Sequence, residues 1–371
     1  KEKIFTTIKG CKGHPRCIPK LQFRGVICMI AWITTWGIRC GIATYSKFLV
    51  EQMEDVVVLC QSGEGEVTGA IPCWTRDSDF FGGIIAQIAA KGIEKVVIQH
   101  QPGLLRFSYL NTLLLKLADM DVKVFITMHN TRDRSLIFPS KRIEKAVEGL
   151  KTCSTVMVHS NADVENLKLL GITENVVMIP HGIYPPPSKD VEPLPTEGRV
   201  LGTFGFLLPH KGQLELVEAF ERLPGWDELL LLCATREGSG NMEKKINDLI
   251  AKKNLVGRVR LITDFLDDDV AISTLAKCDL LVFPYQNTKE SASGAVRMGV
   301  ASGVPIAVTP IPIFEDVVGA IKLRGKTVDD IVASISMTSN EELESCRKDM
   351  VKLRDSLQWD VVAGRIQELL M

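Results

Sequence analysis

Apolar residues in this chain fall into short, nearly unbroken runs, separated by longer stretches in which they recur at helical spacing. The first half reads as strands at residues 26–33, 56–59, 96–98, 122–127 and 155–158, with helices over 44–53, 82–91, 108–119, 141–150 and 162–170. The alternation then pauses. Residues 183–198 hold five prolines (185, 186, 187, 193 and 195) among charged residues, a composition that neither a helix interior nor a central strand tolerates. From Arg199 it resumes, with strands at 200–206, 229–234, 259–262, 280–283 and 304–308 and helices at 213–223, 242–253, 270–276 and 295–301. An amphipathic stretch over 359–370 follows a long helical region. Strands that are apolar on both faces belong to parallel sheets covered by helices on each side. The pattern therefore predicts two doubly wound α/β domains, at 25–183 and 199–355, joined by a linker at 184–198.

Composition narrows this reading little. A chain of 371 residues suits two domains better than one core, and 46% hydrophobic with 24% charged residues is ordinary for a globular protein. Lys and Arg number 44 against 45 Asp and Glu, so no global field favours a nucleic acid, and no nucleic-acid partner is expected. Ten cysteines are scattered, several in apolar runs (Cys28, Cys60, Cys233), which reads as buried reduced thiols of a cytoplasmic protein. Cys11 and Cys17 flank His14, but no fourth metal ligand lies near them. The uncharged run between Arg24 and Arg39 is too short for the roughly 20 apolar residues of a membrane span. No signal peptide is visible, and the start at Lys1 suggests a piece of a larger multidomain chain. Residues 1–24 carry seven Lys or Arg and one acid, Glu2, and read as a basic extension or solvated linker, with peripheral contact to anionic lipid as the alternative.

Chemistry-bearing residues collect where strands end. After the 280–283 strand come Glu290, Ser291, Ser293 and Gly294, and then a helix beginning at Ala295. A small-residue turn into a helix presents unpaired amides and a partial positive charge, so the stretch reads as a cradle for a diphosphate with a carboxylate beside it. An ordinary strand-to-helix turn is the competing reading. Lys211-Gly212, preceded by His210, ends the first strand of the second half and offers a point charge for phosphate. In the first half, Gly37 and Gly41 lie in the loop after the first strand, without the dinucleotide fingerprint or the acid that would go with it, which argues against NAD. His129, followed by Asn130, ends its strand at the rim where open sheets bind ligands. Arg132 and Arg134 come next, either reaching a phosphate or simply solvated. His100, between Gln99 and Gln101, holds a similar position and is expected to line an acceptor side.

These motifs resemble those of the retaining, nucleotide-sugar-dependent glycosyltransferases of the GT-B architecture, in particular family 4, the glycosyl transferases group 1. Glu290 matches the first of that family's two glutamates, and Ala301-Ser302-Gly303-Val304-Pro305 matches the end of its signature. The second glutamate falls on Met298, and the family's arginine before the lysine falls on Leu208 or Phe206. The resemblance implies two Rossmann-like domains facing across a cleft, with residues 356–371 forming a helix that packs back on the first domain. Catalytic roles are implied for His129, Glu290 and Lys211, and donor binding for Gly205, His210, Ser291, Ser293, Gly294, Ala295 and Arg297. Gly37, Gly41, His100 and Arg132 would face the acceptor. His210 would partly substitute for the absent arginine, and Arg297 for the absent glutamate. Two further landmarks, at 158–161 and 179–183, support the fold, with Ser160 expected as a helix N-cap. The activity implied is transfer of a sugar from a nucleotide-diphosphate donor to a saccharide or lipid-linked saccharide, in polysaccharide or glycoconjugate synthesis, with no cofactor or metal. A non-catalytic scaffold or sugar-nucleotide sensor is one alternative, and a sugar-nucleotide epimerase of similar fold is another.

Overall fold

The computed structural model describes residues 29–38, 40–64, 69–131, 142–235, 239–288, 290 and 292–371. The basic stretch 1–24, the start of the 26–33 run, Arg132, Arg134 and Ser291 lie outside these residues.

The first domain is a sheet of strands β1 (Ile30–Ile33), β2 (Val56–Gln61), β3 (Ala70–Trp74), β4 (Lys95–His100), β5 (Lys123–Met128), β6 (Thr155–Val158) and β7 (Val176–Met178). Its helices are α1 (Gly41–Val50), α2 (Gly82–Lys91), α3 (Phe107–Asp119), α4 (Val147–Thr152) and α5 (Asn161–Leu169). The second holds β8 (Val200–Phe206), β9 (Glu228–Ala234), β10 (Val259–Ile262), β11 (Leu280–Phe283), β12 (Ile306–Val308) and β13 (Ile321–Lys322). Around it pack α6 (Gln213–Phe220), α7 (Met242–Lys252), α8 (Asp268–Leu275), α9 (Gly294–Ser302), α10 (Val328–Met337) and α11 (Asn340–Ser356), and α12 (Trp359–Leu370) ends the chain.

Both sheets are wholly parallel, with orders β3-β2-β1-β4-β5-β6-β7 and β10-β9-β8-β11-β12-β13. In each, the order reverses at the first strand. Ligands of open α/β sheets bind beyond the carboxyl ends of the strands at that reversal. The turns after β1, β4 and β5, and those after β8 and β11, therefore sit at the two binding edges.

Four details differ from the sequence reading. Helix α1 starts at Gly41 rather than residue 44, because the extended Cys40 is already its N-cap. Strand β3 was not expected, since Pro72 interrupts its run; it lies at the sheet edge, where a missing N–H is tolerated. Strand β13 has two residues, too few for any periodic signal. The stretch 141–150 is split into a tight turn at Ile143–Ala146 and then α4. Ser160 caps α5 by accepting from the Asp163 N–H.

Helix α12 belongs to the second half by sequence but covers the first sheet. Trp359, Val362, Ala363, Ile366 and Leu370 form one core with Trp32, Tyr45, Leu49, Val97 and Phe125. Its end is tied down where Lys95 Nζ donates to the Leu370 carbonyl at 2.6 Å. The chain crosses beside residue 183, whose N–H donates to the Leu357 carbonyl at 2.8 Å. Among the described residues, no helix is long and apolar enough to cross a membrane.

Candidate active site

Lys211 is aimed by backbone geometry. Beyond β8 the chain makes a short turn over Pro209–Lys211 and closes it with Gly212 in the left-handed region, at φ 74°. A Cβ on Gly212 would stand 2.0 Å from the Pro284 carbonyl oxygen, so only glycine lets the turn lie against the end of β11. The Lys211 side chain is buried, with Nζ 4.0 Å above the Tyr285 ring and 3.1 Å from Glu290 Oε2. Burial alone would push its pKa down, but Tyr285 and Glu290 outweigh this and raise it, so the ammonium stays charged. The Glu290 side chain is 41% exposed, which leaves its carboxylate open to a ligand.

Helix α9 delivers its N-terminus to the same place. Ser293 caps it, accepting from the Val296 N–H at 3.3 Å, and its hydroxyl lies 2.9 Å from the Tyr285 hydroxyl. Among the described residues, nothing lies within 4 Å of where a Gly294 Cβ would be. Gly205 has φ 133°, and a Cβ there would come within 3.1 Å of Ala295, so the glycine lets β8 pass close to that turn. His210 stands edge-on to Tyr285 at 6.5 Å and its carbonyl accepts from the Gln286 N–H. One patch thus gathers an ammonium, a carboxylate and a helix N-terminus, a combination suited to a diphosphate with a hydroxylated group attached.

Arg297 is placed differently from the expectation of donor contact. It is fully buried and paired with Asp316, while its Nε and Nη1 make no hydrogen bond among the described residues. Its charge helps to lower the pKa values of His159 and His181 of the first half, after burial. Met298, at the position of the expected second glutamate, packs in the second domain's core with Phe283 and Phe314.

The facing edge of the first domain is a cluster of rings. Tyr45 of α1 meets His129, His159, His181 and Trp359 edge-on, at centroid distances of 4.9, 5.5, 5.2 and 5.2 Å. The Thr131 and Ser160 hydroxyls both donate to the buried Asp163 carboxylate, and Asn166 donates to the Thr131 carbonyl. That network draws the turn after His129 onto the start of α5. Gly37 adopts φ 68°, and Gly41 opens α1 with nothing within 4 Å of its Cβ position among the described residues. Their loop is held by Glu64, which accepts from the Trp36 N–H at 2.8 Å and whose pKa is raised by burial.

His100 does not line the cleft as expected. The chain turns back after β4, and the His100 ring is 1% exposed, packed at 4.9 Å on Phe107 and bonded to the Leu105 carbonyl. Sequence reading also missed Tyr285, Tyr45 and Glu64. Tyr285 carried a signal, since it directly follows the Pro284 that ends a strand run. Among the described residues, no group of three or more His, Cys, Asp or Glu could hold a metal ion.

Burial lowers the pKa of His100 from 6.5 to about 4, and burial foremost also lowers those of His129, His159 and His181. Each ring releases its proton more readily folded than unfolded. Below about pH 6.5 the unfolded chain therefore binds more protons, and stability falls with pH. Thermal unfolding from pH 7 to pH 4.5 should show a steady fall in Tm, smaller in a His159→Gln variant. A flat profile would mean the rings are solvated.

Residues 186–350 match the family model of the glycosyl transferases group 1. No curated protein matches the chain by sequence. Among solved structures, Alr3699/HepE of Anabaena in complex with UDP superposes with a TM-score of 0.71 at 12% identity, covering 92% of this chain and 99% of that one. The sucrose-phosphate synthase of Thermosynechococcus elongatus gives 0.70 at 15% identity, with 92% and 98% covered. The UDP-forming α,α-trehalose-phosphate synthase of Burkholderia xenovorans, in complex with glucose-6-phosphate, gives 0.71 at 10% identity, with 92% and 100% covered.

Proposed function

We propose that this chain, of the GT-B fold, is a glycosyltransferase that moves a sugar, with retention of configuration, from a nucleoside-diphosphate donor to a hydroxyl acceptor. The observation that carries the reading is the Lys211 ammonium, 3.1 Å from Glu290 and beside the first turn of α9, at the point where the strand order reverses. The bound UDP and glucose-6-phosphate of the structural neighbours support a nucleotide sugar as donor and a saccharide as acceptor. Polysaccharide or glycoconjugate synthesis is the proposed setting.

As the anomeric C–O bond breaks, negative charge develops on the leaving diphosphate and positive character on the sugar ring. Lys211 and the α9 amides meet the first, and donors so placed contribute about 3 kcal/mol each. They take the charge-neutralising role that a divalent cation fills in other sites. Glu290, released from Lys211 by the incoming phosphate, accepts from sugar hydroxyls. The acceptor oxygen adds to the anomeric carbon on the face the diphosphate leaves, and the acceptor proton passes to the departing phosphate oxygen. His129 stands at the opposite edge, against the sugar. The acceptor approaches over the Gly37–Gly41 loop.

A panel of UDP-, GDP- and ADP-sugars with simple saccharide acceptors tests this. The expected result is transfer from one nucleotide class, with the donor's anomeric configuration kept. Glu290→Gln keeps the shape but weakens a charged hydrogen bond, so kcat/KM should fall about ten- to a hundredfold. Donor binding without any turnover would instead support the non-catalytic reading, which the core position of Met298 favours. Epimerised free donor would support the third.

A further inference from the structure

Gln99 lies beneath the His129 ring and is 4% exposed. Strands β4 and β5 are in register so that Gln99 pairs with Thr127, and His129 follows two residues on, on the same face. The His129 N–H donates to the His100 carbonyl at 3.0 Å, fixing the backbone. Its ring folds back so that Nε2 meets Gln99 Oε1 at 2.9 Å. Tyr45 then closes one side edge-on, and the His159 ring lies 5.2 Å away on another.

We infer that Gln99 is a positioning residue for sugar transfer, holding His129 as the Nε2–H tautomer so that Nδ1 stays a bare acceptor for a donor-sugar hydroxyl. The inference rests on the glycosyl-transfer reading. An amide oxygen can accept the ring proton but cannot supply charge, so the imidazole remains neutral. A carboxylate in its place would favour the imidazolium and put a proton on Nδ1, destroying the acceptor. The other rings nearby are His100, His159 and His181, themselves bonded to the carbonyls of Leu105, Ile179 and Gly182. The charged neighbours are Asp163, Asp316 and Arg297, which act on His159. None of these can take over the Nε2–H.

The test joins ring NMR to kinetics. With only six histidines in the chain, ¹⁵N-imidazole spectra can be assigned by loss of one set in His129→Gln. The wild type should show the Nε2–H form from pH 6 to 8. Gln99→Leu should mix the tautomers and lower kcat by about tenfold or more, with KM for the acceptor unchanged. Gln99→Glu should keep the fold and gain an acidic limb, losing activity at low pH and recovering it at high pH as the Glu–His pair loses its shared proton. A purely structural role would lower Tm without creating that limb. An Nδ1–H form in the wild type, or unchanged tautomer and kcat in Gln99→Leu, would overturn the inference. If no nucleotide sugar is turned over at all, the proposed function fails, while the tautomer still reports on Gln99.

Discussion

Lys211→Met should lower kcat/KM for the nucleotide-sugar donor by about a hundred- to a thousandfold, the loss expected when a preorganised charge on a leaving group is removed. Methionine has nearly the length of lysine and can keep the packing under Tyr285, over whose ring Nζ now sits at 4.0 Å. The effect is therefore electrostatic. Removing one partner of a fully buried pair is strongly destabilising, but the Glu290 side chain left behind is 41% exposed and stays solvated, so Tm should fall only modestly. A second consequence separates this from simple damage. Without its partner at 3.1 Å, Glu290 becomes an uncompensated anion beside the diphosphate position and should repel it. Adding Glu290→Gln to Lys211→Met should then restore part of the donor affinity, and the two changes should be strongly non-additive. Donor titration calorimetry and steady-state rates on the two single variants and the double variant measure this. A Lys211→Met enzyme within about threefold of wild type would remove the ammonium from the mechanism.

How far the sequence discloses such a site is shown by two histidines. His100 and His129 both end apolar strands and read alike. The difference is made afterwards. Past His100 the chain turns so that the Leu105 carbonyl meets the ring at 2.9 Å, sealing it inside. Past His129 the chain is drawn away onto α5 by Asp163, more than thirty residues downstream, and the ring stays at the edge. Local pattern carries strand ends well, because burial of a parallel strand leaves a run of apolar letters and the turn that follows needs glycine or proline. Lys211-Gly212 and Glu290 to Gly294 were legible for that reason. Which side chain faces a ligand is settled by contacts far apart in the chain. Arg297 was expected to stand in for the absent second glutamate, yet its partner is Asp316, nineteen residues on. Tyr45 and Gln99 were hidden. Tyr45 lies between Thr44 and Ser46 in an amphipathic helix, and Gln99 stands beside the more conspicuous His100, so neither gives a pattern of its own.

Trp359→Ala should cost about 3–5 kcal/mol, the range for emptying a buried aromatic site. Trp359 is 5% exposed and joins three parts of the molecule. Its ring stacks on Phe48 of α1 at 5.3 Å with planes 4° apart, and meets His181 at 5.4 Å. Gly182 lies under it so closely that a Cβ would fall 2.3 Å from a ring carbon. One residue further, Ile183 bridges to Gln358 at the start of α12. Removing the ring therefore loosens α12, the entry to the linker and the face of α1 together. Gly182→Ala should produce the same lesion from the other side, and the double variant should cost little more than the worse single one. Trp359→Phe should retain most of the stability, since the indole N–H has no hydrogen-bond partner among the described residues to lose. Donor affinity should be less affected than turnover, because Lys211, Glu290 and the first turn of α9 all lie in the second domain, whereas the proposed transfer also needs His129 of the first. Chemical denaturation with parallel calorimetric donor titration separates the two effects. A loss of less than about 1 kcal/mol in Trp359→Ala would mean that α12 is seated by its other apolar residues, and that the domains are not registered through this ring.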